Sequence, residues 1–210
     1  MRLPEPRTPS EIRVGDPTWD IAYLYPEQGD WSADDYLAMS ARSNRHIELS
    51  KGCLILFPTE TLTHQRILGF LISRMGHDAG IARRGEVLAG GYPVRLDEVT
   101  IRMCDILFMF DEHADRMLEE YCTQPDLIVE IIGDDRDHVK ETKRDEYAKA
   151  GIGEYWIIDP RDRVIHVLTL RGTTYVPHGE FRDQTPATSL LLEGFEVVPD
   201  AVWAAGEGRR

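Results

Sequence analysis

The chain has 210 residues, 42% of them hydrophobic, which suffices to bury one sizeable core and shows no internal repeat or low-complexity tract. A formal net charge of −13 excludes a broadly basic nucleic-acid-coating protein, because affinity for phosphate backbones comes mainly from Lys and Arg. Three widely spaced cysteines, Cys53, Cys104 and Cys122, exclude a disulfide framework or zinc ribbon, and no apolar run reaches the length of a membrane span.

From the N-terminus, residues 1–17 carry four prolines and scattered charges without periodicity, which predicts a flexible extended arm. These first residues also lack the apolar segment of a secretory signal, so with the cysteine usage the expected location is cytoplasmic. Residues 18–203 are expected to form a single domain, with 204–210 as a frayed tail. The segment SADDYLAMSAR opens on a serine followed by acids, the signature of a short capped helix. HIELS and GCLILFP read as two strands joined through Ser50, Lys51 and Gly52 into a hairpin. In TLTHQRILGFLISRMGHDAG, His64, Leu68, Leu71 and Met75 share one face of a long amphipathic helix that ends at glycine.

Extended pieces at GEVLA, YPVRL and VTIRM follow, with Gly90 and Gly91 as a turn. They lead into the apolar strand RMCDILFMF. DEHADRMLEEY reads as a loop or short helix before a second apolar strand, PDLIVEII. DDRDHVKETKRDEYAKAG is helix-like, with Asp134, Asp135 and Asp137 as an acidic start that suits the helix dipole. EYWIID and RVIHVLTL are successive strands around an Asp159-Pro160 turn, and TTYVPHGEF and GFEVV are shorter ones. Strands on both sides of two substantial helices predict an α/β fold with a mixed sheet flanked by helices. No GxGxxG or GxxxxGK[ST] turn follows any strand, which weighs against a doubly wound nucleotide-binding fold.

Two carboxylates interrupt the strands that are apolar throughout: Asp105 in RMCDILFMF and Glu130 in PDLIVEII. An ionised acid in such a setting is paired, protonated or bound to metal. Two acids on neighbouring strands suit a hard divalent cation, and magnesium is held by one or two carboxylates with water and phosphate completing its shell. A cation from the strand itself is excluded, since the residue two places after Glu130 is Ile132. On the next helix, Val139, Lys143, Tyr147 and Ala150 recur at spacings of four, four and three, so Lys143 belongs to the inward face. A structural ion pair or a snorkelling lysine is the competing reading. Glu48 on the hairpin reads equally as an exposed charge, and His64 as a core histidine. Tyr147, Tyr155 and Trp156 are expected to fill the core. The other histidines have no zinc spacing, and no GxSxG elbow supports a serine triad.

These segments resemble the Uma-type family of endonucleases, a branch of the restriction-endonuclease-like superfamily built around a PD…(D/E)xK signature. The resemblance runs over most of residues 22 to 198. It passes through LYPEQGDWSADDYLAM, HIELSKGCLILFPTETLTHQRIL, CDILFMF and PDLIVEII, and is clearest in KRDEYAKAGIGEYWIIDP. The family's catalytic acids match Asp105 and Glu130, and its lysine, four residues before a helix tyrosine, matches Lys143. Cys104 stands where the family usually has proline, and Gly133-Asp134 where it commonly has Ser-Pro.

The resemblance implies a restriction-endonuclease-like fold and a Mg2+-dependent endonuclease acting on DNA, with Mn2+ able to replace the metal. Asp105 and Glu130 would be the metal ligands and Lys143 the catalytic cation. Glu48 and His64 would support the site, the Ile131 carbonyl would be a further ligand, and the chain would act as a homodimer. Two other readings stand beside this one. The first is a catalytically silent module binding nucleic acid or protein; the second is a metal-dependent phosphodiesterase acting on RNA or a small phosphoester. A local basic rim from Arg83, Arg84, Arg136 and Lys140 is the expected means of meeting phosphate despite the acidic total.

Overall fold

Alternating apolar strands and two amphipathic helices assemble into a layered α/β structure, in a computed structural model that describes residues 25–40, 46–78, 81, 83–133 and 138–208. The expected arm, 1–17, the acidic start at Asp134, Asp135 and Asp137, and Arg136 lie outside the described residues. Helix α1 spans Ala33–Ser40. The Asp35 amide donates to Ser32 Oγ (3.1 Å), while the Ser32 amide donates to the Asp35 carboxylate (3.2 Å), a reciprocal cap that satisfies two otherwise orphaned amides. Strands β1, Ile47–Ser50, and β2, Cys53–Leu56, form the hairpin. Its two turn residues, Lys51 (φ 50°) and Gly52 (φ 78°), are both left-handed, as a two-residue turn between right-twisted strands requires. A Cβ at Gly52 would lie 2.3 Å from the Gly29 carbonyl oxygen, so that position demands glycine twice over. With β4, Val94–Asp97, and β5, Thr100–Arg102, the hairpin builds a four-stranded sheet ordered β2-β1-β5-β4.

The larger sheet is ordered β10-β9-β8-β7-β6-β3. Its strands are β3 (Gly85–Ala89), β6 (Ile106–Phe110), β7 (Leu127–Ile131), β8 (Glu154–Asp159), β9 (Val164–Arg171) and β10 (Thr174–Phe181). Only β7 and β8 pair in parallel, so this sheet is mixed. A parallel pair needs a crossover, and the chain supplies one through a π-helical turn, His138–Lys143, continued by helix α3, Arg144–Lys149. Helix α2, Leu62–His77, covers the opposite face, its first turn capped by Thr61, whose hydroxyl accepts from the His64 amide at 3.2 Å. The minor strands β11 (Ala187–Thr188) and β12 (Glu196–Val197) precede helix α4, Pro199–Gly206.

The period of two along each central strand splits the core into two layers. Phe108, Val129, Ile131, Trp156 and Ile158 pack under α2 and α4, whereas Leu107, Ile128, Tyr155 and Ile157 pack under α3 with Val139 and Tyr147. Glu130 lies between Ile128 and Ile132 on the α3 side.

Three expectations are corrected. Asp105 is not inside its strand but immediately before β6, with its side chain 17% exposed. A hydrogen bond from the Gly90 amide to its carbonyl (3.0 Å) ties it to the Gly90-Gly91 turn there. The Lys143 segment is π-wound before it becomes α-helical. Residues 204–206 belong to α4 instead of a frayed tail, because Val202 and Trp203 anchor that helix in the core. Among the described residues no helix is long and apolar enough to cross a membrane.

Candidate active site

The register of β6 on β7 pairs Ile106 with Val129 and Leu107 with Ile128. Continued by one residue, it sets Asp105 level with Glu130, and paired residues project from the same face of a sheet. Asp105 is held from two sides: the Ile131 amide donates to its Oδ2 (2.6 Å), and His64 Nε2 lies 3.1 Å from its Oδ1. Glu60 reaches the same imidazole nitrogen at 3.5 Å. His64 is therefore both a buried residue of α2 and a neighbour of the candidate acid.

Glu130 is only 4% exposed and Lys143 2%. The ammonium Nζ lies 3.0 Å from Glu130 Oε1 and 3.0 Å from Glu48 Oε1, with the Phe57 ring 5.9 Å away. The Tyr147 hydroxyl, one turn further along the same face, donates to Glu130 Oε1 at 2.7 Å. Both bonds fall on Oε1, and none among the described residues falls on Oε2. Glu48 is fully buried, which removes the exposed-charge reading. Its Oε1 also accepts from the Met103 amide (3.2 Å), and its Oε2 takes Arg102 Nη1 at 3.1 Å. Arg102, itself fully buried, turns its Nε and Nη2 to the two oxygens of Glu146 (2.8 and 2.9 Å) and gives a further bond to Ser50 Oγ (2.9 Å). A continuous chain of charge thus runs Glu146, Arg102, Glu48, Lys143, Glu130, linking the small sheet, the crossover helix and the large sheet.

Burial is the largest influence on Glu130 and pushes its carboxyl up to about 7, with the Asp105 and Glu48 charges adding to that effect and Lys143 and Tyr147 opposing it. For Lys143, burial alone would lower the pKa, but Glu130 and Glu48 outweigh it and the ammonium is held more firmly than usual. In this network three carboxylates, Glu48, Glu130 and Glu146, face two cations, Arg102 and Lys143. With Asp105 alongside, an excess of negative charge stays next to a carboxylate that burial resists ionising.

That donor chemistry fits a divalent cation of the magnesium kind. Among the described residues no group of three or more His, Cys, Asp and Glu could enclose a metal. The side chains available to an ion here would be those of Asp105 and Glu130, leaving positions for water and phosphate, as magnesium sites typically do.

A cleft of about 300 Å³ opens on Asp105, lined also by His46, Glu60, His64, Gln65, Leu68, Gly90, Gly91, Met103 and Cys104. Glu130 and Lys143, both buried, are not among its lining residues. Of the expected basic rim, Arg136 lies outside the described residues, and Arg83, Arg84 and Lys140 do not line the cleft: Lys140 pairs with Asp159 (2.9 Å), and Arg84 bonds the Leu191 carbonyl (2.9 Å) and covers Phe110. Arg102, Glu146 and the Tyr147 hydroxyl are members of the network that the sequence did not single out. A signal existed for Arg102, since a lone charge in the short strand Thr100–Arg102 is as anomalous as Asp105.

Among solved structures, one match is described as a "putative nuclease belonging to DUF820" from Anabaena variabilis ATCC 29413. It shares 15% sequence identity and a TM-score of 0.65, with 81% of this chain and 98% of that one covered. The likeness establishes a common fold with that protein. No curated protein matches the sequence. The profile of the Uma2 family, described as "Putative restriction endonuclease", matches residues 33–203. That span takes in α1 through most of α4 and every residue of the charge network, and the chain belongs to the Uma2 family.

Proposed function

We propose that this protein is a magnesium-dependent endonuclease that hydrolyses phosphodiester bonds in DNA. The observation that carries the reading is the meeting of Glu130 and Lys143, from strand and crossover, next to an acid level with Glu130 on the adjoining strand. Asp105 and Glu130 would hold Mg2+, or Mn2+ in its place, with the Ile131 carbonyl as a further oxygen donor. Such an ion, when bound, acidifies a water and offsets the charge of the scissile phosphate.

The chain's own groups have separate tasks. His64 and the Ile131 amide hold the two Asp105 oxygens in a fixed direction. Glu48, fixed by Arg102, aims the Lys143 ammonium at Glu130. From there the ammonium steadies negative charge growing on the phosphorane, in a setting where burial strengthens electrostatics. Cutting both strands of a duplex would call for a second copy of the chain, and sedimentation reads that directly.

Plasmid DNA with Mg2+ or Mn2+ is the direct test: the wild type nicks it and Asp105→Ala does not. Equal cleavage by Asp105→Ala, or none by wild type, would sink the proposal. The catalytically silent module has one observation in its favour, the lack of any Lys or Arg in the cleft lining among the described residues. Calorimetry separates the two readings, since a silent module takes up no divalent ion dependent on Asp105 and Glu130. RNA and small phosphoesters belong in the same substrate panel.

A further inference from the structure

The cleft beside Asp105 holds chemistry that phosphoryl hydrolysis leaves unused. Among the described residues no Lys or Arg lines it, so away from an ion at Asp105 a phosphate would meet no cation from them. At about 300 Å³ it is at the small end of ligand sites, and a stacked base pair cannot enter so narrow a concavity.

Its polar groups suit a different occupant. The His64 side chain is 5% exposed, with Nε2 committed to Asp105 and Nδ1 lacking any hydrogen-bond partner among the described residues. That nitrogen has no accessible surface, so the polar groups left to meet a ligand in the cleft are those of Gln65 and Glu60. Gln65, next along α2 and exposed, offers both a donor and an acceptor, and the Glu60 carboxylate flanks it at the head of the helix. Leu68 and Met103 give the same cleft apolar walls. A small planar ligand with donors and acceptors on its edge and apolar faces matches this lining, and Gln and Glu side chains are established readers of such edges.

We infer that this cleft seats one unpaired nucleobase of the strand being cut, so that nucleic acid with an open or single strand is cut faster than closed duplex. The inference rests on the nuclease reading for the neighbouring phosphate. It gives the acidic chain a means of holding its substrate that does not depend on a basic surface.

Two measurements on the full chain decide it. The first compares cleavage of an oligonucleotide unpaired and in perfect duplex, for wild type and for Gln65→Trp, an exposed helix position where the indole fills the cleft without disturbing the core. The unpaired strand is expected to be cut about tenfold faster or more, as the cost of unstacking a base allows, and Gln65→Trp to lose that preference. Equal rates on both strands, or a preference untouched by Gln65→Trp, would overturn the assignment.

The second is saturation-transfer NMR with dAMP in EDTA, which needs no turnover. Transfer to the base protons, lost in Gln65→Trp, supports the site; no transfer overturns it. Should neither strand be cut while dAMP still binds in this way, the nuclease reading fails and the base site stands.

Discussion

Glu130 and Glu154 stand on the two parallel strands of one sheet, both buried, and they are built for different ends. Glu154, fully buried, accepts from four neutral donors: Trp156 Nε1 and Ser189 Oγ (2.6 Å each) and the Leu190 and Leu191 amides (2.8 and 3.1 Å). Both of its oxygens are engaged, and it pins the 189–191 loop to the end of β8. Among the described residues Glu130 has its bonds on one oxygen only, from an ammonium and a phenol, and its carboxyl is pushed up to about 7 by burial. A buried acid surrounded by amides and hydroxyls is a joint. One with a charged partner, a spare oxygen and a second acid beside it has capacity for an ion.

The largest expected effect is at the cation between the acids. Lys143→Met leaves Glu130 in the interior without a cation, Glu48 keeping Arg102, and should lower unfolding free energy by about 3–5 kcal/mol, read by urea denaturation, while abolishing cleavage. Under 1 kcal/mol would mean that the pair is not buried as described.

Glu154→Ala should cost about 3 kcal/mol by leaving its donors unsatisfied, yet leave the divalent-ion affinity of the folded protein unchanged. A weakened affinity there would erase the contrast between the two acids. Glu130→Gln keeps the shape and should change stability by no more than about 1 kcal/mol, since Lys143 retains Glu48. Its cleavage rate should nevertheless fall by about 100-fold or more, as when a charge-stabilising group leaves a catalytic centre.

The pH dependence sharpens the same comparison. The Glu130 carboxyl has a folded value of about 7 against 4.5 for the free group, so between these pH values the folded state binds more protons. Its contribution to stability is therefore present below pH 4.5 and lost as pH rises through about 7. Urea unfolding across that window should show this slope in wild type and not in Glu130→Gln. Divalent-ion binding should tighten over the same range, because the ion competes with the proton. The smallest effect is at Tyr147→Phe, about 1 kcal/mol for one lost hydrogen bond. Because the hydroxyl favours ionised Glu130, its loss should also weaken ion binding near neutral pH.

Local pattern made much of this legible and long-range pairing did not. The 3.6-residue period of α2, the Lys51-Gly52 turn and the apolar runs of β7 and β8 are written in consecutive residues. The four-residue spacing of Val139, Lys143 and Tyr147 likewise turns the ammonium inward, and the π-helical winding of that segment does not undo it. Arg102 and Glu146 escaped because each makes sense only beside the other, 44 residues apart in the chain. Glu48 looked ambiguous for the same reason, as the second sheet that buries it is completed by β5, fifty residues later. The position of Asp105 before its strand depends on where pairing with β7 begins, which composition does not reveal.

The central claim is that Asp105 and the spare side of Glu130 together receive a divalent ion. A crystal of the protein soaked in Mn2+ and measured at the manganese absorption edge tests it most directly. The account predicts one anomalous peak in contact with both carboxylates, absent from Asp105→Ala. A soaked crystal with no peak there, or with manganese bound only elsewhere, would contradict it.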